Sequence, residues 1–259
     1  MKRENTFNLI SNDILCSIII PVHNNIKFTQ AAILSLLKLP SNYEIIIVDN
    51  DSTDSTQDTI MTLINNRSIE GAQLLYFHFP RNLGFGRANN WGYKHSNGKY
   101  VLFLNNDIRI EDRYTDWPLI MLEWAKQGYL VGTQGGVLDR SFNFVREGFE
   151  LPQTKYWYMS GWCICSSRQN FDKLILNHYS DDKTDVICTG KAFGPWNEKF
   201  FAYFEDGDLS WRAKRKGIKF KEVHVPIHHF GRMTGKQIGL NYMYKRSRRV
   251  FKNIWKDNI

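Results

Sequence analysis

Apolar residues in the first half of the chain fall into short unbroken runs, among them Ile18-Ile19-Ile20 and Ile45-Ile46-Ile47-Val48. Such runs belong to strands buried on both faces, as in parallel sheets covered by helices. The pattern predicts strands over residues 17–22, 44–49, 74–79 and 100–104. Between them, residues 27–39, 55–66 and 85–95 carry helical spacing, and Ser52-Thr53-Asp54-Ser55 offers N-cap side chains to the second helix. Strand and helix in alternation give an α/β fold with a central, mostly parallel sheet flanked by helices. Ligands of such sheets gather at the carboxyl ends of the strands. Asp49, Asp51, Asn105, Asn106 and Asp107 all fall there.

The second half is mixed. A helical pattern covers residues 114–127, and strand-like patterns cover 130–138, 142–149, 158–165 and 220–227. Residues 177–190 are polar with weak periodicity and read as a loop. The tail, residues 241–259, reads as an amphipathic helix. Met243, Val250, Phe251, Ile254 and Trp255 form its apolar stripe beside Lys245, Arg246, Arg248, Arg249, Lys252 and Lys256. That stripe has two possible destinations, an anionic membrane surface or the body of the protein.

Composition narrows the classes. The 259 residues, 42% of them hydrophobic, can bury a full core. The apolar runs are too short to cross a bilayer, and the polar N-terminus lacks the apolar stretch of a signal peptide, so the expected location is the cytoplasm. Cys16, Cys163, Cys165 and Cys188 form no CxxC pair and read as reduced thiols; a metal cluster from Cys163, Cys165 and His178 would lack a second pair to close a tetrahedron. The net charge of +8 points to anionic partners. Nucleic acid is not expected among them, because no binding motif for it is present and the basic residues crowd into the tail.

Four constellations carry chemistry. Asp49-Asn50-Asp51-Ser52-Thr53-Asp54 ends a buried strand in carboxylates that can accept from a ribose or a base N–H, while its later members cap the next helix. Asn105-Asn106-Asp107 delivers hard oxygen ligands into a turn, as Mg²⁺ or Mn²⁺ requires when phosphates and water complete the shell. Glu205, Asp206 and Asp208 crowd beside aromatics, where carboxyl pKa values rise toward those of a general base. Asp208 fits a helix N-terminus, whereas Glu205 and Asp206 are expected to precede the helix and face a ligand. His228-His229 follows a strand-like run, and one of the two could join a metal or a phosphate.

In chain order, Pro21-Val22-His23-Asn24, the Asp49–Asp54 cluster, Asn82-Leu83-Gly84-Phe85-Gly86-Arg87-Ala88-Asn89-Asn90, Asn105-Asn106-Asp107 and Glu205-Asp206 with Asp208-Leu209 and Arg212 resemble family 2 glycosyltransferases of the GT-A, Rossmann-like fold. Within that family they resemble the rhamnosyltransferase-like branch that builds bacterial surface polysaccharides such as lipopolysaccharide and capsule. The likeness runs from Cys16 to Gly235.

The resemblance implies a metal-dependent, inverting transfer of a hexosyl or deoxyhexosyl group from a nucleoside-diphosphate sugar, with UDP or dTDP as carrier, to a hydroxyl of a glycan or lipid-linked acceptor. Pro21 and His23 would border the nucleobase, Asp49 and Asp51 would hold base and ribose, and Arg81, Asn82 and Arg87 would line the nucleotide pocket with Asn105 and Asn106 nearby. Asp107 would bind Mn²⁺ or Mg²⁺, joined by His229 or His228. Asn105 departs from the first Asp of the family's DxD pattern. Asp206, or Glu205 in its place, would be the base. By this reading residues 1–238 form a GT-A domain, with a nucleotide-sugar half at about 14–110 and an acceptor half at about 111–238, and residues 239–259 add the basic helix, which would hold the protein peripherally on the inner face of a membrane. Two rivals are a dinucleotide oxidoreductase, whose glycine pattern fails because Asn89 stands at the third glycine position, and a non-catalytic binder on the same fold.

Overall fold

The computed structural model describes residues 13–66, 71–111, 116–148, 154–176, 193–231 and 240–258. From the amino end come β1 (Cys16–Val22), α1 (Ile26–Leu36), β2 (Tyr43–Asn50), α2 (Thr56–Asn65), β3 (Gln73–Phe79), α3 (Phe85–Lys94), β4 (Tyr100–Leu104) and β5 (Ile108–Ile110). There follow α4 (Trp117–Lys126), β6 (Tyr129–Gly132), β7 (Gly135–Leu138), β8 (Phe144–Glu147), β9 (Trp157–Met159), β10 (Cys163–Ser167) and α5 (Arg168–Asp172). The last elements are α6 (Glu205–Arg215), β11 (Lys219–Glu222), β12 (Ile227–His229) and α7 (Leu240–Trp255).

Seven strands form one sheet in the order β11-β6-β10-β4-β1-β2-β3. Strands β4, β1, β2 and β3 run parallel, as do β6 and β11, and β10 joins the two groups antiparallel to both. The expected α/β architecture is therefore the observed one. Successive residues of a strand point to opposite faces, which is why the unbroken apolar runs are needed. Ile18, Ile20, Ile45 and Ile47 pack with Ile33 of α1, Ile60 of α2 and Met121 of α4 on one face. Ile19, Ile46, Val48 and Phe103 pack with Ala88 of α3, Phe171 of α5 and Leu209 of α6 on the other.

Beyond β5 the boundaries differ from the sequence pattern. The apolar stretch 130–138 is two strands in different sheets, β6 in the large sheet and β7 in a small antiparallel sheet of order β8-β7-β9. The chain crosses close to β9 at the join, where a Cβ on Gly132 would lie 2.2 Å from Met159 Sδ. Residues 158–165 divide likewise into β9 and β10 around a turn at residues 160–162, and 220–227 into β11 and β12. Helix α1 stops at Leu36, and the described part of α4 starts at Trp117. The second helix takes its cap bonds from Asp54, whose Oδ1 accepts from Thr56 N at 3.1 Å. The predicted loop at 177–190, with His178 and Cys188, lies outside the described residues; Cys16, Cys163 and Cys165 are buried free thiols.

Helix α7 spends its apolar stripe on the protein itself. Phe251 and Trp255 are 0% and 3% exposed, in a cluster with Phe142, Phe200, Phe204 and Trp211. Trp255 Nε1 donates to Asp208 Oδ1 at 3.0 Å, and Ser247 Oγ donates to the Ala202 carbonyl at 2.6 Å. The basic side chains of Lys245, Arg246, Arg249 and Lys252 stay exposed.

Candidate active site

The carboxyl ends of β1, β2 and β4 open into a cleft of 690 Å³ that reaches across to the start of α6. Its near end is built on Asn50. Asn50 Oδ1 accepts from Leu83 N at 2.7 Å, while Nδ2 donates to Asn82 Oδ1 at 2.8 Å and to the Gly84 carbonyl at 3.2 Å, which fixes the loop before α3. Gly84 sits at φ +86 against Phe201, where a Cβ would meet the Phe201 carbonyl at 2.6 Å, so only glycine fits this crossing of the cleft wall. His23 Nδ1 lies 2.9 Å from the Asn50 carbonyl. Pro21, His23, Asn50 and Asn82 all line this end.

The acids of the β2 turn do not. Asp49 is fully buried, with Oδ2 accepting from Tyr76 Oη at 2.6 Å and Oδ1 from Ser52 N at 2.9 Å. One oxygen holds the turn and the other ties it to β3. Asp51 sits in the left-handed region at φ 68 and is absent from the lining. Arg81 is exposed and also off the wall, and Arg87 is off it too, with its guanidinium Nε 3.6 Å from Glu198. Of Asp49, Asp51, Arg81 and Arg87, which the sequence marked for the nucleotide, none lines the cleft, whereas His23 does; Asn50, an amide inside an acidic motif, lines it without having been marked.

The floor is Asn105-Asn106-Asp107. Asn106 turns away to α1, donating to Thr29 Oγ1 at 2.9 Å. Asp107 is 4% exposed, and its Oδ1 is 3.1 Å from His229 Nε2. This meeting follows from β12 pairing antiparallel with β5, with His229 opposite Ile108, and from Phe230 N donating to the Asp107 carbonyl at 3.0 Å. The His229 ring lies flat on Trp162, 4.6 Å between centroids and 8° between planes. Strand alternation sends His228 to the other side, exposed and edge-on to Phe230, so His229 alone reaches Asp107.

A divalent cation fits here on donor chemistry. His229 Nε2 is 3.1 Å from the acceptor Asp107 Oδ1 and 3.3 Å from the donor Asn105 Nδ2, and one ring nitrogen can serve only one of them in a given tautomer. Asn105 Oδ1 is buried without a hydrogen-bond partner among the described residues. A carboxylate, an amide oxygen and an imidazole are ligands that Mn²⁺ or Mg²⁺ accepts, the imidazole favouring Mn²⁺. Among the described residues no group of three His, Cys, Asp or Glu forms a metal cage by itself. Substrate phosphates and water would complete the shell.

The far wall is the first turn of α6. Glu205 and Asp206 do not precede this helix, as expected from sequence, but open it; Tyr203 and Phe204 before them are both left-handed, at φ 69 and 68. Consecutive non-glycine residues in that region store strain, which recurs at functional sites. Asp206 Oδ2 accepts from Gly161 N at 3.2 Å and Oδ1 from Gly207 N at 2.8 Å. Burial pushes both carboxyls up. Glu205 rises further, to about 8, because the charge of Asp206 adds to the loss of solvent, and its Oε2 has no hydrogen-bond partner among the described residues. Asp206 reaches only about 6, since those N–H groups stabilise its charge. The N–H groups of Gly161 and Gly207 favour charge on Asp206, and Glu205 Oε2 receives no such donor among the described residues, so Asp206 is the more readily ionised of the two. Asp208 points into the core, paired with Arg212 Nε at 2.7 Å.

The sequence model of glycosyl transferase family 2 matches residues 17–162. An uncharacterised glycosyltransferase of Rickettsia conorii is 37% identical over 99 residues, 38% of this chain and 15% of its own length. The Escherichia coli UDP-Glc:alpha-D-GlcNAc-diphosphoundecaprenol beta-1,3-glucosyltransferase WfgD is 31% identical over 97 residues, 37% of this chain and 36% of its own. The chain thus spans well under two thirds of these relatives. Among solved structures, GalNAc-T7 with UDP, GalNAc and Mn²⁺ superposes over 95% of this chain and 50% of its own, at 17% identity and a TM-score of 0.62, a likeness of fold. With a GT-A fold and the family's sequence model matched across more than half of its 259 residues, the chain belongs to glycosyl transferase family 2.

Proposed function

We propose that this protein transfers a sugar from a nucleoside-diphosphate sugar to an acceptor hydroxyl by a single inverting displacement, with Asp206 as the base. The observation that carries this reading is the placement of Asp206, held by backbone N–H groups, on one wall of the cleft, with the paired Asp107 and His229 at its floor. Asp206 takes the proton of the acceptor hydroxyl as that oxygen attacks the anomeric carbon. The bond from the anomeric carbon to the diphosphate oxygen breaks, and its electron pair leaves with the nucleoside diphosphate. No covalent sugar intermediate is required.

Pro21, His23, Asn50 and Asn82 would hold the nucleoside, with UDP or dTDP as the carrier; WfgD uses a UDP sugar and GalNAc-T7 holds UDP. Asp107, His229 and Asn105 would hold Mn²⁺ or Mg²⁺, which supplies positive charge for the departing diphosphate. The acceptor would be a glycan or a lipid-linked saccharide. Among the described residues no helix is long and apolar enough to cross a membrane. We infer that a lipid-linked acceptor is met through the exposed basic face of α7 lying against an anionic bilayer surface, without insertion, because its apolar stripe is already buried. Turnover of a panel of nucleotide sugars with Mn²⁺ and a saccharide acceptor tests the reading. Transfer with inversion at the anomeric carbon supports it, and binding without any transfer or hydrolysis overturns it.

A further inference from the structure

The end of the cleft between α6, β8 and α7 has a chemistry of its own. Glu147 of β8 joins Glu205 and Asp206 there, and among the described residues lining the cleft there is no lysine or arginine, in a chain of net charge +8. Gln134 Nε2 donates to Glu147 Oε2 at 2.6 Å and holds it in place. Around these acids stand aromatic rings. Phe144 is 42% exposed; Tyr244 of α7 lines the cleft, packs 5.1 Å from Phe204, and accepts at its hydroxyl from Phe144 N at 3.4 Å. Burial, and after it the neighbouring carboxyls, Asp206 foremost, keep the hydroxyl of Tyr158 protonated and therefore a donor.

We propose that Phe144, Glu147, Tyr158 and Tyr244 form the acceptor subsite and that it takes a neutral sugar ring, not an anionic sugar or a phosphate nucleophile. The assignment rests on Asp206 being the base. A pyranose presents an apolar C–H face, which suits exposed aromatic rings, and a rim of hydroxyls that donate to carboxylates. A uronate or phosphate in the same place would bring like charge to within several ångströms of two or three carboxylates, a penalty on the order of a hundredfold in binding. A phosphate nucleophile also needs no base to remove a proton, whereas an alcohol does. Tyr244 lies outside the family-matched residues 17–162, so α7 would set acceptor choice independently of the nucleotide half.

Ligand-observed NMR on the full chain with UDP and Mn²⁺, using methyl hexopyranosides, their methyl uronosides and hexose 1-phosphates as probes, tests this without turnover. At least one neutral hexopyranoside should bind, with its charged counterparts weaker by about tenfold or more. Phe144→Ala and Tyr244→Ala should each weaken it by about fivefold, Tyr244→Phe should restore most of the loss, and Glu147→Gln should narrow the discrimination against the uronoside by about tenfold. Equal or tighter binding of the anionic probes, no binding by any neutral hexopyranoside, or indifference to both alanine substitutions in proteins with unchanged melting temperature overturns the assignment. If the sugars bind as stated while Asp206→Asn transfers at the native rate, the subsite stands and the catalytic reading fails.

Discussion

Gly161 donates its backbone N–H to Asp206 Oδ2 at 3.2 Å, and the residue after it, Trp162, lies flat on His229. One short turn between β9 and β10 therefore holds both the proposed base and the imidazole beside Asp107. Trp162→Ala should loosen His229 and lower affinity for a nucleotide diphosphate in the presence of Mn²⁺ by about tenfold, an effect typical of outer-shell support. Calorimetric titration of UDP with and without the cation checks it. Unchanged affinity in Mn²⁺ means the stacking does not position His229.

Asp107→Ala should abolish the difference between nucleotide affinity in Mn²⁺ and in chelator, because carboxylate, cation and diphosphate bind as a unit. His229→Ala should do the same in part, and His228→Ala should change neither, since His228 lies on the far side of β12. A His228 variant with the larger loss would reverse the assignment.

The two acids predict distinct pH behaviour. Asp206 must be ionised to act, so kcat/KM should fall as pH drops through about 6. Glu205 binds its proton more tightly folded than unfolded, so the stability it contributes is present at acid pH and lost as pH rises from the ordinary carboxyl range through about 8. Glu205→Gln should therefore lose less melting temperature than the wild type between about pH 6 and about pH 9. Parallel declines in the two proteins would place the titration elsewhere.

Phe251→Ala should cost about 3–5 kcal/mol and Trp255→Phe about 1–2 kcal/mol, because the first empties a fully buried ring site and the second strands a buried acceptor on Asp208. Chemical denaturation reads both. Losses below about 0.5 kcal/mol would mean that α7 is not part of the core.

Replacing Lys245, Arg246, Arg249 and Lys252 by glutamine should abolish co-sedimentation with anionic vesicles at low salt while leaving the fold intact, each charge being worth about 1 kcal/mol near such a surface. Binding that survives the four substitutions, or that extends to neutral vesicles, contradicts the inferred orientation.

The parallel half of the fold was legible because strands buried on both faces carry unbroken apolar runs, as β1, β2 and β4 do, while the edge strand β3 is buried only in part. The amphipathic tail was legible too, but not what covers it: the partner of Trp255 is Asp208, 47 residues away, and no local pattern encodes that pairing. The same limit applies to the acids of the β2 turn. Asp49 reads as a ligand in sequence, and no local pattern shows that its carboxylate accepts from Tyr76 on the neighbouring strand. Asn50, hidden among acids, takes the position at the wall instead. Which of His228 and His229 lies beside Asp107 was not legible either, because the register of β12 on β5 decides the face each ring occupies. Apolar stretches 130–138 and 158–165 concealed sheet changes because hydrophobicity reports burial and not which sheet a strand joins.

The most direct test of the proposed chemistry compares Asp206→Asn with the wild type in two measurements on the same protein: donor affinity by calorimetry and sugar transfer under saturating donor. Donor affinity within about twofold and turnover lower by about 10²–10⁴ is the expected result, because the base acts on the acceptor and not on the nucleotide. Near-native turnover, or a turnover loss matched by an equal loss of donor binding, would contradict Asp206 as the base.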